Sequence, residues 1–329
     1  MRPGPAGLPT ILALLVLAAA AVASVFVGRV SLSPAELTQG MFHPQTMAGL
    51  VVTELRIPRT VLAILVGASL GLSGAVLQGL LRNPLAEPGL LGVTNGAALG
   101  AVVSIYFGLS HNFGLATPLL GMAGAVAAGA LTYALGRGSS LTLILAGAAA
   151  SSLMAAFLAL ALNFAPSPYA AYEMNVWMLG SLAERSWDHV LLAAPFVAAG
   201  LAVLATMGRA VDALALGDLQ AESLGIRLDR TRVLALLGVG LCVGAATSVT
   251  GAVGFIGLVA PHLIRPFVGY QPSRTLLPSA LAGAALLLLA DIGTRLIHTN
   301  TELRLGVLTS LLGAPFFFWL VIRVRKTAP

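Results

Sequence analysis

Apolar runs of about twenty residues, separated by short polar joints, recur along the whole of this 329-residue chain. They predict helices long enough to cross a bilayer, roughly at 8–28, 60–81, 91–109, 113–136, 141–164, 189–207, 231–250, 276–297 and 306–323. A tenth piece, about 252–268, is shorter and interrupted by Gly254, Gly257, Pro261 and Pro266. The pattern therefore predicts an all-α polytopic membrane protein with about ten transmembrane helices in a single domain over 1–329. Small residues four apart (Gly67 and Gly71; Gly92, Gly96 and Gly100; Gly240 and Gly244) predict close backbone packing, because lipid offers helices no hydrophobic drive to associate.

One helix opening is written twice. Arg56-Ile57-Pro58-Arg59-Thr60 precedes the run to Gly67, and Arg227-Leu228-Asp229-Arg230-Thr231 precedes the run to Gly238, each matching position 171 residues on. Five spans separate the two openings, so the second copy runs the other way through the membrane. An inverted repeat is expected, with copy one at about 56–164 and copy two at about 227–323, an architecture that transporters use around a midplane path. Chance likeness between two Leu/Ala/Gly helices is the bland alternative; the shared Arg-x-x-Arg-Thr argues against it.

Composition agrees with a bilayer. The chain is 58% hydrophobic and 9% charged, against about 25% charged for soluble domains. Its +6 net charge could point to nucleic acid, but basic residues in a membrane protein mark cytoplasmic loops, and no nucleic-acid partner is expected. With the N-terminus inside, Arg2, Arg82, Arg137, Arg209, Arg227, Arg230, Arg232, Arg265, Arg274, Arg323, Arg325 and Lys326 fall inside. Arg29, Arg56, Arg59, Arg185, Arg295 and Arg304 fall outside, and the asymmetry puts both termini in the cytoplasm. Ala21-Val22-Ala23-Ser24 resembles a signal cleavage site, but the length of the run favours an uncleaved first helix. The single Cys242 reads as a buried thiol, and the five scattered histidines show no metal-ligand spacing.

Candidate function lies in the polar joints. Gly217 to Gly225 reads as a short helix capped by Asp218 and ended by Gly225. At roughly 10 Å it cannot span, so it lies on the cytoplasmic face as a surface loop or as a knob for a partner. That partner is not in this chain: the only lysine, Lys326, follows no glycine loop, so if ATP drives transport, ATP and Mg sit on a separate subunit. Asp291 lies inside an apolar run, where a carboxylate costs about 2.5–3.5 kcal/mol, so it needs a partner. Arg295, one turn on, supplies one; the alternative, a proton relay in a secondary transporter, lacks a second acidic station. Tyr169, Tyr172, Trp177 and Trp187 suit an interfacial belt, and Pro166, Pro168 and Gly180 a short helical excursion.

These stretches resemble the permease subunits of bacterial type II ABC importers for iron-siderophore, haem and cobalamin. The resemblance covers nearly the whole chain. It is carried by Arg56-Ile57-Pro58-Arg59, Gly74 to Gly92 with Gln78-Gly79-Leu80-Leu81-Arg82-Asn83-Pro84-Leu85-Ala86-Glu87-Pro88, Leu216 to Gly225, Gly251 to His262, and Ala290-Asp291. It implies an inner-membrane permease that pairs with a second permease subunit, two ATP-binding subunits and a periplasmic substrate-binding protein. It implies import of a metal chelate, iron-siderophore or haem, with cobalamin as the alternative. By resemblance, Leu216, Gly217, Asp218, Leu219, Ala221, Glu222, Leu224 and Gly225 contact the ATPase. Arg56, Arg59 and Arg295 dock the binding protein, and Asn83, Leu85 and Thr142 form the cytoplasmic gate. Exposed arginines on an outer face suit carboxylate partners, with snorkelling to headgroups as the bland alternative.

Overall fold

The structure, a computed structural model, describes residues 7–28, 30–297 and 303–327. Arg2, Arg29 and His298 lie outside them. The first helix, α1 (Gly7–Phe26), is followed by a short α2 (Pro34–Phe42). Then α3 (Met47–Leu50) runs through a π-helical turn, Val51–Arg56, into α4 (Ile57–Leu80). A 3-10 turn, Pro88–Leu91, leads to α5 (Val93–Tyr106), α6 (Leu109–Asn112), α7 (Ala116–Leu135) and α8 (Ser140–Asn163). Next come α9 (Pro168–Met178), α10 (Trp187–Ala205), α11 (Gly208–Leu214), α12 (Asp218–Ser223) and α13 (Leu228–Thr250). The chain ends with α14 (Ile256–Ile264), a 3-10 turn Arg265–Val268, α15 (Pro272–Leu296) and α16 (Leu305–Thr327).

Among the described residues, eight helical runs are long and apolar enough to cross a membrane, and Val93–Tyr106 and Ile256–Val268 are shorter apolar helices. The apolar pattern thus places ten membrane-depth segments, as expected. The second run differs, since it starts at Met47 and not near 60. Pro58, which lacks an N–H, reads as a helix start in sequence. Here it sits just after the π turn, whose wider loop (Ile57 N–H to Val52 C=O) absorbs the lost bond, so the helix passes through it.

Three helices, α4, α13 and α15, form the buried centre, while α1, α7, α8, α10 and α16 keep most of their surface outward. α4 packs on α15 where Gly67 and Gly71 face the backbone of Gly283 and Ser279, with no room for a Cβ. The register falls along α15 as it rises along α4, so the two are antiparallel. α13 meets α7 in the same manner, with Gly244 against Ala125 and Ser248 against Gly121. The pairing is reciprocal: α4 takes α14 and α15 from the second half, and α13 takes α5 and α7 from the first. Not every small residue is at a contact; Gly240 faces open space.

Two broken segments meet in the middle. Gly92 has φ +73°, the left-handed turn that ends the 3-10 piece and starts α5. Gly251 has φ +75° and ends α13 before α14 begins. Gly257 of α14 lies against Leu70 of α4 and the Pro88 ring.

Candidate functional sites at the two ends of the bundle

At one end, α1 stops without a basic residue in its last turn. Its terminal carbonyls therefore need donors from elsewhere. Two arginines supply them. Arg295 Nη1 donates to the carbonyls of Ser24 (2.7 Å) and Val27 (2.8 Å). Arg56 Nη1 donates to those of Val25 (2.8 Å) and Phe26 (2.9 Å), and its Nη2 to that of Val30. Positive charge at a helix C-terminus is also favoured by the helix dipole.

Asp291 anchors the arrangement. Arg59 approaches in a fork, Nε to Oδ1 at 3.0 Å and Nη2 to Oδ1 at 2.8 Å. Arg295 Nε donates to Oδ2 at 3.0 Å, and its Nη2 also pairs with Oδ2. The Asp291–Arg295 pair one turn apart is the one the sequence suggests, and Arg59 joins it from α4. With both oxygens engaged, nothing in this geometry supports a relay carboxylate. The exposure expected of three rim arginines is not observed: Arg56 is 4% and Arg295 5% exposed, because both are drawn inward to cap α1. Arg59 retains 15% side-chain exposure. Nearby, the Trp187 indole donates to the Thr53 carbonyl at 2.9 Å, tying α10 to the π turn, while Tyr169 and Tyr172 of α9 point outward.

The opposite end carries α12. Gly217, at φ +113°, is its N-cap, and Asp218 is its first residue. Asp218 does not cap the helix as the sequence suggests; it bridges two arginines instead. Arg82, at the end of α4, approaches Oδ1 at 2.8 Å, and Arg232, in the first turns of α13, approaches Oδ2 at 3.1 Å. Arg232 also donates to the Gly138 carbonyl in the α7–α8 turn, so one carboxylate gathers three joints. Gly225, at φ +83°, ends α12: its N–H meets the Glu222 carbonyl at 2.8 Å and the Ile226 N–H meets the Ala221 carbonyl at 3.0 Å. This is the Schellman pattern. Ala221 is fully buried, whereas Leu216, Leu219 and Leu224 are 64%, 75% and 59% exposed. Three leucines on a polar end form an apolar knob.

The candidate gate residues lie in the turn after α4 and at the start of α8. Asn83 Oδ1 accepts from the Leu85 N–H at 2.9 Å, an Asx turn that closes the α4 end. Thr142 is exposed and pairs with Ser139 in a capping box at the start of α8. Its hydroxyl is spent on local backbone, including the Gly136 carbonyl at 3.1 Å. Gln78, absent from the sequence-derived set, is buried and donates to the Gly257 carbonyl at 3.2 Å while accepting from Arg265 at 2.6 Å. A lone buried glutamine in an apolar helix was the available signal. A groove of about 710 Å³, lined mainly by Leu179, Val253, Val307, Leu311 and Phe318, runs along α16 and the Gly251–Phe255 break.

Known proteins are similar to this chain in sequence and fold. Residues 14–323 match the FecCD transport family. The hemin transport system permease protein HmuU of Yersinia pestis is 36% identical over 280 residues, 83% of each chain. The vitamin B12 import system permease protein BtuC of Yersinia enterocolitica is 40% identical over 284 residues, 84% of this chain and 83% of that one. A solved metal-chelate type ABC transporter in an inward-facing conformation superposes with a TM-score of 0.84 at 30% identity, covering 97% of this chain and 99% of that one. The apolar spans and the family match agree, and the chain belongs to the FecCD transport family of ABC importer permeases.

Proposed function

We propose that this chain is the membrane-spanning half of an ATP-driven importer that moves a metal chelate, an iron-siderophore or haem, into a bacterial cell. α12 carries this reading. A six-residue helix cannot span, yet it is braced by two arginines and presents three exposed leucines. An apolar knob on a polar face suits an apolar socket on a separate ATP-binding subunit, two of which would serve a pair of permeases. ATP and Mg belong to that partner. The reciprocal packing of the two halves supports an inverted repeat around a central path, with the α12 end and both termini in the cytoplasm.

The Asp291 end then faces the periplasmic binding protein. Of its three arginines, Arg59 has the access to meet a carboxylate, while Arg56 and Arg295 act from beneath by fixing α1. Asn83 and Leu85, in the turn after α4, and Thr142, at the start of α8, would open or close the path on the cytoplasmic side as α12 moves. Similarity to both a hemin and a vitamin B12 permease leaves cobalamin as the alternative cargo.

Replacing residues 218–224 by a flexible Gly/Ser linker tests the reading. Co-purification of the cognate ATPase should be lost while the permease still folds; undiminished co-purification sinks the assignment of α12. Transport by the chain alone in liposomes under a pH gradient would instead establish a secondary transporter.

A further inference from the structure

At the α12 end, a cavity of about 310 Å³ opens between the end of α4, the residues leading into α12, the 265–268 turn and the start of α15. Its polar wall is made by Gln78, Arg82, Arg265, Tyr270 and Thr275, and among the described residues no carboxylate lines it. Arg265 bonds to the Gln78 side chain and forms no ion pair among the described residues. Arg82 shares Asp218 with Arg232, so two guanidiniums draw on one carboxylate, and Arg265 adds a third positive charge to this corner. Asp212, on α11, is spent on Ser273 and Gln271. Two non-glycine residues of the wall hold left-handed backbone, Arg82 at φ +50° and Tyr270 at φ +61°, a conformation that clusters at binding sites.

We propose that this cavity is an oxyanion site, in which Arg82 and Arg265 hold a phosphate group. Guanidinium forks match phosphate geometry, and basic pockets between helix ends bind phosphate headgroups. The phosphate can come from a free anion or from an anionic lipid. In either case an occupant draws Arg82 from Asp218, and so loosens the brace on α12.

The intact chain in lipid-free nonionic micelles tests the site with inorganic phosphate against chloride at matched ionic strength. Phosphate should raise the melting temperature by roughly 2–4 °C. Arg265→Gln should lose that rise. Ala215→Glu, at an exposed position on the cavity wall, should supply a tethered carboxylate and be insensitive to phosphate. A second arm measures retention of phosphatidylglycerol against phosphatidylcholine by native mass spectrometry. A phosphate response without lipid preference assigns a free anion; a phosphatidylglycerol preference lost in both variants assigns the headgroup. No response in either arm, or a response that survives in either variant, overturns the site.

Discussion

Asp291 and Asp218 each stand between two arginines, at opposite ends of the same bundle, and the solvent around them is what differs. Asp291 is fully buried, with Arg295 at 4% and Arg59 at 15% side-chain exposure. Asp218 is 28% exposed, and its partner Arg82 41%. Identical chemistry thus makes a fixed clamp in one place and a releasable brace in the other. In low dielectric, removing one member strands the others unsolvated; near water, solvent and salt replace the lost partner. The burial suits their neighbours: the first holds the end of α1, and the second holds a helix proposed to move.

Asp291→Asn should give the largest effect. It removes the buried carboxylate that Arg59 and Arg295 share, and destabilisation of about 3–5 kcal/mol is expected. Thermal unfolding in detergent checks it; a loss below about 1 kcal/mol would mean that the clamp is not desolvated.

Arg56→Ala should come next. It orphans the carbonyls of Val25, Phe26 and Val30, each otherwise bonded to this one side chain. A loss of about 1–3 kcal/mol is expected. Hydrogen exchange should speed up in the last turn of α1 and not in α12. Because both arginines cap the same helix end, the double variant with Asp291→Asn should be non-additive.

Much of this was legible in the chain and some was not, for a physical reason. Spans follow from length and apolarity, which are local. The Asp291–Arg295 pair follows from helical spacing, and α9 from its prolines and glycine. Arg56 reads as exposed because its acceptors lie 26 to 31 residues away, on a helix end that shows no cap of its own. Arg59 meets Asp291 across 232 residues, a pairing that no periodicity encodes. Asp218 looks like a cap because an aspartate after glycine normally is one; two arginines from distant joints outbid the local bond. α2 was missed because nine amphipathic residues are too short for a membrane pattern, although the Ser33/Glu36 capping box marks it.

A third carboxylate calibrates the brace. Asp212 accepts from the Ser273 N–H (2.8 Å) and hydroxyl (2.6 Å) at the start of α15. Desolvation pushes its pKa up, but the Ser273 and Gln271 hydrogen bonds and Arg274 outweigh it, leaving it below the ordinary 3.8. A depressed folded-state pKa contributes stability above the unfolded value, and that stability is lost as pH falls through the folded one. Asp212→Asn should cost about 1 kcal/mol near neutrality and progressively less in acid below the ordinary carboxylate range. Melting temperature against pH checks this; a cost that stays constant into acid rules out a charged acceptor at Ser273.

Asp218→Asn should have the smallest effect on stability and a different kind of consequence. Partly exposed ion pairs are worth about 0–1 kcal/mol, and asparagine keeps the shape and one acceptor oxygen. The fold should therefore survive almost unchanged, with a melting temperature close to that of the unsubstituted chain. What changes is the hold on α12, since Arg82 and Arg232 no longer converge on a charge. Association with the ATPase should weaken or lose its coupling to transport while the permease stays folded, the reverse of Asp291→Asn. High salt should mimic the substitution at Asp218 and leave the Asp291 clamp untouched, because screening reaches exposed pairs and not buried ones. If Asp218→Asn destabilises as much as Asp291→Asn, the two ends are alike, and α12 is held as rigidly as α1.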